Sequence, residues 1–449
     1  MSPYGLRDRY IDGGVLPGEA WLSSPLYRRQ FGYRLYCNLM SKKPADAFRV
    51  LHTADWHLGK MLNEQSREVE QKLFLDWLLK QVVELEVDVV LIAGDIFDTA
   101  NPPQSAEALY YDFVAELNRK SSASLVLIAG NHDSANQLEA PKRVLKALRT
   151  HVHGAVADEP SERLLLLPSA DAPKVAIAMV PFLREKDLRM GKTGDTPAAV
   201  RKEIIAGITR VYDETAKAVK SAKITCPVIA TGHLTVAGSS SSESERDIHI
   251  GGLGAVDSSV FPETFAYVAL GHLHRPQSPD KAGRVRYSGS PIALSFSEVD
   301  DKKEVRLLDV TGKGIAQSSV PIPVFRKLVQ LKTSLATLES DLAAQAKVHP
   351  GELTTWVEVV LSGHTGLNDA NSQVRTLAHG QPFEVLKVML ADTPRLNGAG
   401  VGQEVDAHLE GMLDKPHEVF DHLLKQQADL PEEDKASLRL AFRKIVDRI

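Results

Sequence analysis

The chain has 449 residues, 43% hydrophobic and 25% charged, an ordinary globular composition with material for more than one domain, which excludes fibrous, collagenous and mainly disordered classes. A formal charge of -5 leaves no global positive field to attract nucleic acid, so any such contact must come from a local patch or from bound metal. Two cysteines, Cys37 and Cys226, are too few for a disulfide framework or a structural zinc site, and the longest apolar runs, such as 89–93 and 175–180, fall far short of the roughly 20 residues that span a bilayer.

Residues 1–39 contain no lysine, are rich in aromatics and show neither helical nor strand periodicity. Arg28-Arg29-Gln30-Phe31 has the form of a twin-arginine export signal. Arg34, Asn38, Lys42 and Lys43 interrupt the stretch where its apolar region should follow, so export is not expected. Met40-Ser41-Lys42-Lys43-Pro44, leading directly into a strand, reads as a natural start, which makes residues 1–47 an extension outside the folded domains.

From Phe48 the pattern predicts strand 48–54, helix 66–86, strand 87–93, helix 104–119 and strand 124–129. Strands at 174–181, 226–231 and 265–270 follow, with a long helix near 197–222. This is α/β layering, in which ligands bind outside the carboxyl ends of strands. Helix 104–119, with Leu109, Tyr110, Phe113, Val114 and Leu117, offers enough apolar surface for a homodimer seam as well as a core. After Pro291 the pattern predicts strands 304–310 and 324–332, helix 334–347, strand 354–361, helix 367–379 and strand 383–390, a small β-α-β-α-β domain. A glycine- and asparagine-rich linker, 394–402, precedes two amphipathic helices at 403–426 and 432–449. Their apolar stripes, Leu409, Met412, Leu413, Val419, Phe420 and Leu423 on one, and Leu438, Leu440, Ala441, Phe442 and Ile445 on the other, predict a partner.

The predicted strand ends carry Asp55-Trp56-His57, Gly94-Asp95-Ile96-Phe97-Asp98, Gly130-Asn131-His132-Asp133, Gly232-His233 and Gly271-His272-Leu273-His274. The glycines let the backbone turn sharply or approach a ligand as the chain leaves the sheet. Taken singly, each fragment has a structural explanation: a solvated strand end, a turn at Asn131, a helix cap at Asp98 before Pro102 and Pro103. All five occur in one order after apolar strands, and they hold five of the chain's 15 histidines, which points to a shared site.

Asp55, His57, Asp95, Asn131, His233, His272 and His274 together form a sulfur-free set of oxygen and nitrogen ligands, suited to manganese, iron or zinc. Seven are too many for one tetrahedral ion. They suit two ions sharing a carboxylate, and such a pair, about 3.5 to 4 Å apart, clamps an in-line displacement at phosphorus. The chemistry predicted is phosphoester hydrolysis. His132, whose neighbour Asn131 already supplies an oxygen, is the candidate general acid, and Asp98 is expected to accept a hydrogen bond from its ring and orient it. Lys60, Arg275, Arg284 and Arg286 are the basic residues nearest the motifs and candidates for phosphate contacts. The serine run 239–244 reads as a solvent-exposed loop.

Across 48–290 the five blocks resemble the calcineurin-like metallophosphoesterase superfamily. Asp55-Trp56-His57-Leu58-Gly59-Lys60, Gly94 to Asp98, Glu245-Arg246-Asp247-Ile248, Gly251-Gly252-Leu253 and Tyr287-Ser288-Gly289-Ser290-Pro291-Ile292 are similar to the bacterial SbcD family within it. The resemblance implies an α/β fold: a metallophosphoesterase β-sandwich flanked by helices over 48–291, a small α+β capping domain over 292–393, and a linker with partner-binding helices over 394–449. It implies two divalent ions, expected to be Mn2+, with Asp55, His57 and His274 on one, Asn131, His233 and His272 on the other, and Asp95 bridging. His132 and Asp98 would be catalytic. The activity implied is that of a manganese-dependent DNA nuclease, a 3′-to-5′ double-strand exonuclease and single-strand endonuclease. It would act on double-stranded ends, hairpins and blocked ends in repair, recombination and replication.

The partner implied is SbcC, an ABC-type ATPase with a long coiled coil, in a heterotetramer containing a homodimer of this chain. The location implied is cytoplasmic and nucleoid-associated, with no membrane. Protein phosphatases of the superfamily usually follow the second motif with Arg-Gly and end the third in Glu, where this chain has Thr99-Ala100 and Asp133. The alternatives are a phosphatase or phosphodiesterase of the same superfamily and a DNA-end tethering subunit with structural metals.

Overall fold

The strands that carry the motifs turn no face to solvent: FRVLHT at 48–53, VVLIA at 89–93 and YVALG at 267–271 are buried at every position. Such runs belong to sheets covered on both sides. The computed structural model describes residues 42–188, 196–242, 244–245, 254–348, 352–362 and 367–391, with Phe420, Lys435, Leu438, Arg439 and Phe442. The expectations for residues 1–39 and Met40, for the motif positions 246–248 and 251–253, for the linker 394–402 and for most of the two C-terminal helices lie outside the described residues.

Strand β1 (Phe48–Thr53) leads through a small hairpin, β2 (Met61–Leu62) and β3 (Gln65–Ser66), into helix α1 (Glu68–Glu84), β4 (Val89–Ala93), α2 (Gln104–Lys120) and β5 (Ser124–Ile128). Two short helices, α3 (Ala135–Glu139) and α4 (Lys142–Ala147), precede β6 (Thr150–His153). Then come β7 (Leu164–Leu167), β8 (Val175–Ala178), α5 (Glu185–Leu188), the long α6 (Pro197–Ser221), β9 (Val228–His233), β10 (Tyr267–Gly271) and β11 (Val285–Tyr287). The chain continues through β12 (Glu304–Thr311), β13 (Gly314–Pro321), β14 (Leu328–Ser334), α7 (Leu338–Ala346), β15 (Thr355–Ser362), α8 (Leu367–Ala378) and β16 (Phe383–Leu390).

The first sheet has the order β13-β12-β1-β4-β5-β6 and the second β11-β10-β9-β8-β7. Side chains alternate across each strand, so one set faces the other sheet and the other set faces helices. Val50, Leu91, Val126 and Ile128 meet Ile177, Ile229, Tyr267 and Ala269 between the sheets. Leu51, Val90, Ile92, Leu125 and Leu127 pack outward on α1 and α2, and the second sheet packs in the same way on Ile204, Ile208, Val211 and Tyr212 of α6. The result is the expected sandwich flanked by helices. Because β1, β4 and β5 run parallel, as do β9 and β10, motifs remote in sequence emerge at common sheet edges.

Strand 304–311, grouped in the sequence with the small C-terminal domain, instead pairs antiparallel with β1, and β13, which the pattern did not predict, extends the same sheet. A buried bidentate pair secures the join: Arg49 Nε and Nη2 donate to the two carboxylate oxygens of Asp309 at 2.6 and 2.8 Å, while Nη1 donates to the Leu85 carbonyl at 2.8 Å. Pattern alone cannot assign such a strand, since an apolar run fits either sheet. The three-stranded sheet β14-β15-β16 keeps the predicted β-α-β-α-β sequence. It meets the sandwich through Leu62, Phe296, Leu328 and Trp356, with the Arg326 guanidinium 3.9 Å above the Trp356 ring and Glu70 within 3.2 Å of Arg326. Tyr110, Phe113, Val114 and Leu117, proposed above as a dimer seam, are buried in the chain's own core against α1. Among the described residues, no helix is long and apolar enough to cross a membrane.

A buried polar contact crosses the inter-sheet layer: His52 Nδ1 lies 3.1 Å from the Tyr267 hydroxyl. Burial, aided by Arg306, pushes the His52 pKa down from 6.5 to about 3. The unfolded chain therefore binds a proton below about pH 6.5 that the folded chain refuses until about pH 3, so stability is lost as pH falls through that window. The slope from this one group reaches ~1.4 kcal/mol per pH unit. Urea unfolding of His52→Asn followed toward acid pH should show a slope shallower by one proton than the parent; equal slopes would assign the acid sensitivity to other groups.

Candidate metal centre

The loops after β1 and β4 run on side by side beyond the sheet. Asp55 N donates to the Gly94 carbonyl, His57 N to Asp95 O and Leu58 N to Ile96 O, at 2.9 to 3.0 Å. This extended pairing places the first two motifs in register. It also forces unusual backbone: Asp55, His57, Asp95 and His272 all have positive φ, at 53°, 45°, 49° and 98°. Such conformations are costly for residues with a Cβ and gather where function demands a particular side-chain direction. Gly94, at φ 93°, is required on two counts, because a Cβ there would also collide with the His233 ring.

All nine residues selected from the sequence meet at this edge. Asp95 lies at the centre, with Oδ2 3.5 Å from His57 Nε2 and 3.3 Å from His233 Nε2, while its Oδ1 accepts from the His132 backbone N–H at 2.9 Å. His233 Nε2 is 2.9 Å from Asn131 Oδ1. Asp55 Oδ1 accepts from the His272 backbone N–H at 2.8 Å. The rings complete the cluster: His57 to His132 at 4.7 Å, His57 to His274 at 5.1 Å and His233 to His272 at 5.5 Å between centroids, all edge-to-face.

The imidazoles are oriented by what holds the far side of the ring. His233 Nδ1 faces the Ala93 carbonyl at 2.9 Å and His132 Nδ1 the Asp98 carbonyl at 2.6 Å; a carbonyl only accepts, so both Nδ1 atoms carry the hydrogen. His57 Nδ1 faces Asp98 Oδ1 at 3.1 Å. In each case Nε2 is left for the other side, the usual arrangement around metal-ligating histidines.

Burial, with Asp95 adding its negative charge, raises the Asp55 carboxyl to about 7. Burial would raise Asp95 too, but the imidazoles of His233, His57 and His132 outweigh it and hold that carboxyl well below the usual range. His233 is raised to about 9 because Asp95 and Asp55 overcome the burial that would lower it. His272, where burial and the His233 charge act together, is held well below 6.5.

Asp98 differs from its expected role. Its carboxylate is 4.0 Å from His132 Nδ1, beyond hydrogen-bonding distance, and instead takes His57 at 3.1 Å and the Lys60 ammonium at 3.1 Å. Burial raises its pKa, but His57 and Lys60 prevail and hold it at about 2. His132 takes the main-chain carbonyl of Asp98, which is nearer than the carboxylate that Lys60 and His57 draw away. The helix that follows is capped at Pro103, so Asp98 is not its cap.

The serine loop is not simply solvated either. Ser244 Oγ lies 2.6 Å from His274 Nδ1 and Ser242 Oγ 3.1 Å from Glu298 Oε1. Of the basic candidates, Arg284 is engaged by the carbonyls of Phe261, Pro262 and Phe265, Arg275 pairs with Asp301, and Arg286 donates to Gly283 O.

Two buried carboxylates were given no role from the sequence, Asp133, although it stands in the third motif, and Glu298, which no motif contained. Asp133 accepts the backbone N–H groups of Gly130, Ile96 and Phe97, bracing the second motif against the third. Its position directly after His132 was the available signal. Glu298, wholly buried behind His274, stands in no recognisable motif spacing.

The residues fit divalent cations on observations internal to the structure. Two groups among the described residues, His57 with Asp95 and His132, and Asp55 with Asp95 and His233, each bring ligand atoms within 4.8 Å of one another. Asp55 Oδ2 and His57 Nε2 are buried with no hydrogen-bond partner. Buried polar atoms left unpaired are costly unless something positive or hydrogen-bonding meets them.

The chain is similar to known proteins over most of its length. Residues 48–276 match the calcineurin-like phosphoesterase family, and residues 324–428 match the family described as type 5 capsule protein repressor C-terminal domain. The SbcD component of the nuclease SbcCD from Escherichia coli strain K12 is 37% identical over 344 residues, 76% of this chain and 84% of that protein. The SbcD proteins from Rhodobacter capsulatus and Bacillus subtilis are 43% and 38% identical, over 61% and 58% of this chain and 69% and 66% of theirs. The chain therefore belongs to the calcineurin-like phosphoesterases and, within them, to the SbcD family.

Proposed function

We propose that this chain is the metal-dependent DNA nuclease component of an SbcC-containing complex, hydrolysing phosphodiesters at double-stranded ends, hairpins and blocked ends. The observation that carries the reading is a pair of buried atoms without hydrogen-bond partners, Asp55 Oδ2 and His57 Nε2, inside a cluster of carboxylates and imidazoles delivered by two sheets. Asp55, His57 and His274 would hold one ion, Asn131, His233 and His272 the other, and Asp95 both. Bound there, a pair of divalent ions, proposed to be Mn2+, supplies Lewis acidity at the phosphoryl oxygens.

The rest is the work of the side chains. Asp98 and the Ala93 carbonyl hold His57 and His233 from behind, so that both present Nε2. His132, fixed through Nδ1 to Asp98 O, keeps Nε2 on the side away from that anchor and is the general acid that protonates the departing sugar oxygen. The three-stranded sheet β14-β15-β16, beginning after about residue 323, acts as a capping domain that helps position DNA, with the domain boundary proposed after β13, later than the 292 expected from pattern. Cleavage is proposed to run 3′ to 5′ on duplex ends and endonucleolytically on single strands. Two copies are proposed to pair through apolar surface left uncovered near α1 and α2, where Met61, Val69 and Tyr111 are exposed, and to bind two copies of SbcC through 403–449 in the cytoplasm near the nucleoid.

His132→Asn should lower manganese-dependent cleavage of labelled duplex and hairpin DNA by about 10²- to 10⁴-fold while leaving DNA and SbcC binding intact. Unchanged cleavage would remove His132 from the mechanism, and hydrolysis of nitrophenyl phosphates without any action on DNA would support a phosphatase instead. Ending the chain after Gly402 should abolish co-purification with SbcC yet preserve cleavage by the isolated chain. Retained association would move the partner surface to another part of the molecule.

A further inference from the structure

Behind His274 lies a buried network that the proposed chemistry does not use. Lys303 Nζ donates to Glu298 Oε2 at 2.6 Å, to Ser290 Oγ at 3.0 Å and to the backbone carbonyl of His274 at 2.9 Å. Glu298 is fully buried; its Oε2 also accepts from the Leu294 N–H at 3.1 Å, and its Oε1 lies 3.3 Å from His274 Nδ1. Ser244 Oγ donates to the same Oε1 and sits 2.6 Å from His274 Nδ1. A carboxylate only accepts, so the Ser244 hydrogen goes to Glu298 and a lone pair of its oxygen remains for the Nδ1–H of His274. Glu245 completes the grip by accepting the His274 backbone N–H at 2.8 Å.

We propose that Glu298, with Ser244 as its intermediary and Lys303 as its counter-charge, is a positioning residue that locks the His274 ring with Nδ1 protonated and Nε2 presented to the metal centre. The inference rests on the metal-centre reading above and extends it to residues beyond the ligand set. Two features separate it from ordinary core packing. An ion pair this deeply buried costs desolvation energy that well-packed apolar side chains would avoid, so it is weak evidence for stability alone. Its hydrogen bonds also converge on one residue, reaching the ring, the carbonyl and, through Glu245, the amide of His274. Carboxylates behind ligating imidazoles fix tautomer and orientation, and their loss typically weakens metal binding about 10- to 100-fold. The arrangement also ties Ser244 and Glu245 to the metal edge through Glu298 and the His274 backbone.

The test uses the full chain and the double variant Glu298→Gln/Lys303→Met, which removes both charges together and leaves neither buried alone. Manganese titration by calorimetry should show affinity reduced about 10- to 100-fold, with cleavage recovering at saturating metal. Nitrogen NMR of metal-free, histidine-labelled protein should show the His274 signal moving from the Nδ1–H toward the Nε2–H tautomer. Ser244→Ala, which leaves the ion pair intact, serves as the second variant should the first fail to fold, and should shift the same tautomer signal with a smaller loss of affinity. Manganese affinity and His274 signals within about two-fold of the parent in a folded variant would overturn the proposal. Failure of the nuclease reading looks different: the unaltered protein would bind manganese normally and leave DNA uncut, with the tautomer result standing.

Discussion

Several charges share one dry sheet edge, and the molecule is organised around making that tolerable. Asp55 and Asp95 are both wholly buried beside His57 and His233. Two carboxylates so close cannot both be ionised cheaply without positive charge between or beside them. The imidazoles supply part of that charge, which is why the Asp95 carboxyl is held down while that of Asp55 rises to about 7. The remainder is the opening for cations, and it accounts for Asp55 Oδ2 and His57 Nε2 lacking hydrogen-bond partners.

Keeping such an edge together requires a rigid scaffold on both sides. Parallel pairing of β1 with β4 and of β9 with β10 brings chain ends from two sheets to the same place, and hydrogen bonds between the loops continue the pairing past the last strand residue. The strain at four positive-φ residues is tolerated because the surrounding core, from Val50 and Leu91 to Ile229 and Ala269, leaves the backbone no alternative. Asp133 adds a third brace by taking three amide hydrogens from the neighbouring loops.

Around this centre the imidazoles show a common logic. His57, His132, His233 and His274 each have Nδ1 engaged by a backbone carbonyl, carboxylate or serine hydroxyl, which fixes the orientation of the ring. Asp98 is therefore better described as the support of His57 than as the orienter of His132, and Glu298 fills the equivalent place for His274. Membership of the SbcD family, over 76% of the chain in the comparison with the Escherichia coli protein, agrees with a site built for phosphodiesters.

The sequence by itself determined the two-sided burial of the strands, since VVLIA and YVALG have no polar face to offer water, and it determined which residues stand at their ends. It also supplied the chemistry, because Asp, Asn and His at those ends define the ligand types wherever the strands are placed. What it could not supply was partnership. Whether 304–311 joins the small domain or completes the first sheet depends on an Arg49–Asp309 contact across 260 positions. Whether Asp98 serves His132 or His57 depends on distances of 4.0 and 3.1 Å that no spacing encodes. Short edge strands such as Leu164–Leu167 and Val285–Tyr287 escaped notice because too few residues carry a period. Hydrophobic pattern is a local property of the chain, whereas the choice among acceptors of similar chemistry is made by position in three dimensions, and only the folded structure settles it.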